Sequence, residues 1–267
     1  MRFKTFSLEE ALTPGARADL NHILADVPCV GTALDMGGWI CGGFARHLLL
    51  DRASRTYFRS ISGETPLGDI DLFFNSHADV LAATPKGVRK SLAGFAKELN
   101  DLVKVQFVDD PDLIKPTIRE TLSSFDIVNC QVAINNRCVV MPEGWRELEA
   151  SKLLQIARND TPFLGSRLLK YLNHRGLEGL TDDSYEALTG WLAHAANDFK
   201  EGGWNDQHIN GVKGHVKKLR ERGLVRREDL IFFINKWKEI VLEGRYGSSH
   251  AYEVDWALNE LSTESSP

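Results

Sequence analysis

Short apolar runs and amphipathic stretches alternate through the first half of the chain, whereas the second half carries amphipathic stretches alone. Residues 14–25 set Leu20, Ile23 and Leu24 at helical spacing, and Pro28 is expected to end that helix. Trp39-Ile40-Cys41 reads as a short strand that stops at Gly42-Gly43, and residues 44–50 predict a helix with Ala45, Leu48 and Leu49 facing inward. The polar stretch 51–68 predicts a loop or hairpin. Residues 70–74 form a strand in which Asp69 and Asp71 alternate against Ile70 and Leu72. A helix over 88–99 and a strand over 102–108 follow. A second strand signal over 125–134 turns at Asn135-Asn136 into Cys138-Val139-Val140.

Past residue 142 the spacing is helical, over 148–157, 162–173, 182–199, 209–222, 230–242 and 252–261. The pattern predicts an α+β chain with a small mixed-sheet head over residues 1–142 and an all-helical part over 143–267. A net charge of −5 with 43% hydrophobic residues excludes a disordered chain and a wholly basic nucleic-acid-binding tail. No apolar run approaches the roughly 18 residues of a membrane span. The start, Met1-Arg2-Phe3-Lys4, lacks the apolar core of a secretory signal, so a cytoplasmic protein is expected. Cys29, Cys41, Cys130 and Cys138 form no C-x-x-C pair and are expected as buried thiols in a reducing compartment. No H-E-x-x-H, G-x-S-x-G or Walker loop occurs, which argues against zinc peptidase, serine hydrolase and P-loop chemistry.

The chemistry concentrates in Gly68-Asp69-Ile70-Asp71-Leu72-Phe73-Phe74. Residues two apart on a strand share a face, so Asp69 and Asp71 stand side by side. Paired carboxylates repel unless a cation separates them, and an all-oxygen set suits Mg²⁺. An edge strand with an acidic outer face would look the same. Upstream, Cys41-Gly42-Gly43-Phe44 marks a strand-to-helix junction, where glycines let backbone N–H groups approach a phosphate. Downstream, Asp126 lies in Phe125-Asp126-Ile127-Val128-Asn129-Cys130 and offers a third carboxylate. Three acids about two metal ions suit in-line phosphoryl or nucleotidyl transfer.

Gly-Gly at a helix start, then D-x-D on a strand, then a later Asp resembles the nucleotidyltransferase superfamily, the polymerase-beta-like fold. Gly42-Gly43-Phe44-Ala45-Arg46-His47-Leu48-Leu49 is similar to the G-G-x-x-R-D-x-L-L segment of tRNA nucleotidyltransferases and bacterial poly(A) polymerases. The likeness covers residues 36–176. It implies that Gly42 and Gly43 cradle a triphosphate and that Asp69, Asp71 and Asp126 hold two Mg²⁺ ions, with Mn²⁺ as a substitute. It also implies that Arg46 supports the acidic strand or reaches phosphate, and that the donor is an NTP, with ATP favoured. His47 stands where the family usually carries Asp, residues 51–68 are an insertion, and no E-D-x-x-R-R base-reading motif is present. CCA addition is therefore not implied.

In the helical part, Arg167, Lys170, Tyr171 and His174 fall on one face at i, i+3, i+4 and i+7. The R-x-x-K-Y-x-x-x-R-G pattern through Arg175 resembles the family's neck helix and implies nucleotide binding by Arg167, Lys170, Tyr171 and Arg175. A solvated basic face is the plainer alternative. Residues 213–227 hold seven basic side chains against the single acid Glu221. Lys213, Lys217, Lys218 and Arg220 are the residues expected to track an RNA backbone, unless this is simply a charged helix. The expectation is transfer of an NMP to an acceptor hydroxyl, foremost an RNA 3′ end. Nucleotidylation of a protein or small molecule, and a non-catalytic nucleotide- or RNA-binding protein on the same fold, are the alternatives.

Overall fold

The computed structural model describes residues 1–50, 70–84, 105–110, 112–161, 164–174, 176–201, 214–215 and 217–225. The expected loop over 51–68 and the helices over 88–99, 230–242 and 252–261 lie outside them, as do Asp69, Arg175 and Lys213. The chain divides into two compact units, Met1–Trp145 and Arg146–Pro267.

The first unit is α+β. Its elements are β1 (Phe3–Ser7), α1 (Leu8–Ala11), α2 (Pro14–Asp26), α3 (Pro28–Asp35), β2 (Trp39–Cys41), α4 (Gly42–Leu49), β3 (Ile70–Phe73), α5 (His77–Ala83), β4 (Val105–Phe107), α6 (Ile118–Ser123), β5 (Ala133–Ile134) and β6 (Cys138–Pro142). The strands form one sheet in the order β1-β6-β5-β2-β3-β4, antiparallel throughout except for the parallel β3–β4 pair. It is thus a mixed sheet, in which the antiparallel pair β2–β3 sets Cys41 opposite Asp71.

The two sheet faces bury different residues, as the two-residue period demands. Ile40, Ile70, Leu72, Ile134, Val139 and Met141 face a core shared with α2, α3 and α4, where Leu20, Ile23, Val30 and Leu48 are fully buried. Cys41, Phe73, Ala133 and Val140 face the other way and are covered by Leu122 of α6, Phe125 and Ile118. At about 1.5–3 kcal/mol for each large apolar side chain removed from water, Ile70 and Leu72 alone anchor β3 firmly.

Several expectations need correcting. α2 ends at Asp26, as expected ahead of Pro28. Pro28 itself, however, opens α3 at the first helical position, where its missing N–H is an orphan in any case. β1, α5 and α6 were not expected. β1 is a half-exposed edge strand and shows little alternation, whereas α6 carries a complete capping box between Thr117 and Glu120. Residues 125–134 are not one strand. The chain bends after α6, is extended at Ile127, makes a 3₁₀ turn at Val128–Cys130, and joins the six-stranded sheet only at Ala133–Ile134. Asn135 makes the expected turn into β6, its Oδ1 accepting from the N–H groups of Arg137 and Cys138, both at 2.8 Å.

The second unit contains α7, whose first residue Trp145 closes the first unit (Trp145–Ala150), then β7 (Leu153–Leu154), α8 (Leu164–His174), β8 (Gly179–Leu180) and α9 (Asp182–Glu201). Residues 217–221 are also helical. β7 and β8 pair in parallel, so this part is not all helix. The expected helix over 148–157 ends early because Lys152 adopts φ 57°, a left-handed conformation that cannot continue a right-handed helix. Trp191 of α9 is fully buried, and its Nε1 donates to the Thr161 carbonyl at 2.8 Å. α8, α9 and His215 meet at Gly165: a Cβ there would lie 2.7 Å from the Trp191 ring and 2.8 Å from His215 Cβ. Among the described residues no helix is long and apolar enough to cross a membrane.

Candidate active site

Gly42 ends β2 and begins α4 with φ +72°, a conformation that costs an L-residue roughly 1–2 kcal/mol. Its N–H donates to the Val132 carbonyl at 3.1 Å, which ties the glycine turn to the chain entering β5. Gly43 follows in the first turn of α4, where backbone N–H groups have no partner within the helix. Arg46 and His47 project from the same helix and are both buried, at 0% and 4% exposure. Arg46 is thus removed from solvent.

Asp71 sits on β3 directly across from Cys41 and is partly exposed. Burial first, and the neighbouring Asp71 carboxylate second, push the Cys41 thiol well above its ordinary range. Asp71 and Phe73 share a sheet face. The Phe73 ring packs against the Phe125 ring at 5.4 Å between centroids, tilted by 49°. The Phe125 edge lies 3.7 Å from where a Gly42 Cβ would stand. Asp126, the next residue, is buried at 6% exposure.

The fold therefore brings the glycine turn, the Asp71 strand and the Phe125-Asp126 segment to one end of one sheet face. Asp126 arrives there on a bend rather than on the expected strand. Asp69 lies outside the described residues, among which no three His, Cys, Asp or Glu side chains are grouped to hold a metal. Asp71 and Asp126 offer only carboxylate oxygens, the donor chemistry that Mg²⁺ or Mn²⁺ takes and that zinc sites seldom use alone.

Gln131 is a site-forming residue that the sequence reading does not single out. Its Nε2 donates to the Phe125 carbonyl at 3.1 Å, and the residue is 2% exposed. The signal for it is a pair of amide side chains, Asn129 and Gln131, within the otherwise apolar stretch Ile127 to Ile134, both of them buried.

In the second unit, Arg167 and Lys170 of α8 are exposed, whereas Tyr171 is 7% exposed. Tyr171 does not share the basic face. It lies seven residues from Leu164 and three from Leu168, within the stripe that helical spacing turns inward. Lys217 and Lys218 are exposed and Arg220 partly so, around the fully buried Leu219. Burial, with the Lys218 charge as the smaller cause, lowers the pKa of His215. Comparison of the chain with protein-family models, with curated proteins and with solved structures found no match.

Proposed function

We propose that this protein is a metal-dependent nucleotidyltransferase that moves an NMP from an NTP, with ATP favoured, to an acceptor hydroxyl, foremost an RNA 3′ end. The observation that carries the reading is the adjacency of a left-handed Gly42 at a helix start to Asp71 on the next strand, with the Phe125-Asp126 segment packed over the same sheet face. The chain order of these segments agrees with the sequence resemblance, although Asp126 comes on a bend rather than on a strand.

In this reading the acceptor oxygen attacks the α-phosphorus in line and pyrophosphate leaves. Asp69, Asp71 and Asp126 would hold the metal ions. When bound, Mg²⁺ supplies positive charge against the charge that develops on the acceptor and the leaving phosphate. The first turn of α4 receives triphosphate oxygens on its backbone N–H groups and its positive dipole end. Arg46, buried on α4, is assigned the first of its two expected roles, support of the acidic strand. Arg167 and Lys170, both exposed, are assigned to phosphates, and Lys217, Lys218 and the partly exposed Arg220 to an RNA backbone. Buried Tyr171 is assigned to the packing of α8 rather than to base stacking.

Incorporation of α-labelled NTPs with Mg²⁺, using total RNA as acceptor, tests the proposal. Label on RNA that disappears in the Asp69→Ala/Asp71→Ala double variant is the expected result. NTP binding without label on RNA, protein or small molecules would overturn it in favour of a non-catalytic binder.

A further inference from the structure

Gln131 links the two halves of the site described above. The chain leaves α6 with the Phe125 N–H donating to the Leu122 carbonyl at 3.2 Å, passes Asp126, and coils through the 3₁₀ turn to Gln131. There the Gln131 amide reaches back six residues to the Phe125 carbonyl. That carbonyl belongs to the peptide unit that also contains the Asp126 nitrogen, so holding it fixes the plane from which the Asp126 side chain departs. The adjacent residue, Val132, accepts the Gly42 N–H through its own carbonyl. Two consecutive residues thus hold the peptide that leads into Asp126, through a side chain, and the glycine turn, through the backbone.

The rest of Gln131 argues against a purely packing role. Its Oε1 is buried and accepts no hydrogen bond among the described residues, a cost that an apolar side chain of the same length would not carry. The amide is therefore explained by its donor, which holds the Phe125 carbonyl in the peptide just before Asp126. We infer that Gln131 is a positioning residue, setting Asp126 against the Gly42 turn for metal binding and transfer. The inference rests on the proposed reading of Asp71 and Asp126 as metal ligands.

Removing a group hydrogen-bonded to a metal ligand typically costs about 10–100-fold in metal affinity, and Gln131, which holds the peptide before the ligand, is expected at the lower end of that range. Mn²⁺ alone, titrated onto the full chain and followed by the electron paramagnetic resonance of the free ion, tests this directly. Gln131→Met keeps length and volume but removes the donor. Gln131→Asn keeps the amide but is one methylene too short, and it serves if the Met variant does not fold. Either should weaken Mn²⁺ binding about tenfold or more, lower kcat with little change in the NTP KM, and leave the unfolding temperature near that of the wild type. In an Asp126→Asn background the same substitution should cause no further loss, since the two act as one unit. Wild-type affinity in both Gln131 variants, or a loss that adds in full to that of Asp126→Asn, overturns the inference and leaves the metal reading standing. A wild-type chain that takes up no Mn²⁺ removes the metal reading, and the inference with it.

Discussion

Asp71 and Cys29 show how differently burial acts on single side chains in this protein. Asp71 is partly exposed on a strand whose neighbours Ile70 and Leu72 are fully buried, so the strand holds the carboxylate at no cost to the core. Asp71→Asn keeps the shape and removes the charge. It should lower kcat by roughly two decades, the equivalent of about 3 kcal/mol of lost charge stabilisation, while urea unfolding shifts by less than about 0.5 kcal/mol. Turnover within threefold of wild type would contradict the assignment. Cys29 sits in α3, and burial pushes its thiol from 9.0 to about 11. Between these values the unfolded chain has given up the proton while the folded chain keeps it, so stability falls as pH rises through that window. The urea midpoint should therefore drop between about pH 9 and 11, and Cys29→Ala should flatten that decline. Equal slopes in the two proteins would show that another group controls it.

At the level of elements, the sequence announces what packs from one side and hides what is made by turns or edges. β2, α4 and β3 are legible because apolar positions fall at the period of two or near four, and because Gly42-Gly43 punctuates them. The positions of Gly42 and Asp71 were readable for the same reason. The route by which Asp126 reaches them was not, because Phe125 to Ile134 is apolar enough for a strand while its hydrogen bonds close a local turn through Gln131. α6 and α1 carry S/T-x-x-E capping boxes at Thr117–Glu120 and Ser7–Glu10, signals present in the sequence but too short to stand out without an apolar stripe. α8 shows the reverse error: charge spacing suggested a face that Tyr171 leaves, because the Leu164–Leu168 stripe claims it. Its Gly165 is a close-approach site with no local motif at all. Gly165→Ala should destabilise the second unit by about 1–3 kcal/mol, since Trp191 and the His215 Cβ cannot both withdraw. Hydrogen exchange should show protection lost in α8 and α9 and retained in the sheet of the first unit. An unchanged exchange pattern would mean that the contact relaxes freely.

For the whole molecule, charge placement matters more than charge total. A chain of net −5 repels nucleic acid on average, yet residues 213–227 gather seven basic side chains against one acid. Lys217 and Lys218 are exposed beside the fully buried Leu219, so the helical spacing directs them outward where counterions condense on RNA and can be released. Each phosphate neutralised on a single strand steepens the dependence of log affinity on log salt by about 0.7. Replacing both lysines in Lys217→Glu/Lys218→Glu should lower affinity for single-stranded RNA and reduce that slope by about 1.4 if each contacts one phosphate. Mn²⁺ binding should be unchanged in this variant, because the carboxylates belong to the first unit and the lysines to the second. Filter binding across a salt series measures the slope, and resonance measures the metal. An unaltered slope would reduce residues 213–227 to a solvated face and leave the acceptor to be sought among proteins and small molecules. A reduced slope with intact metal binding would assign RNA capture and the chemical step to separate parts of one chain.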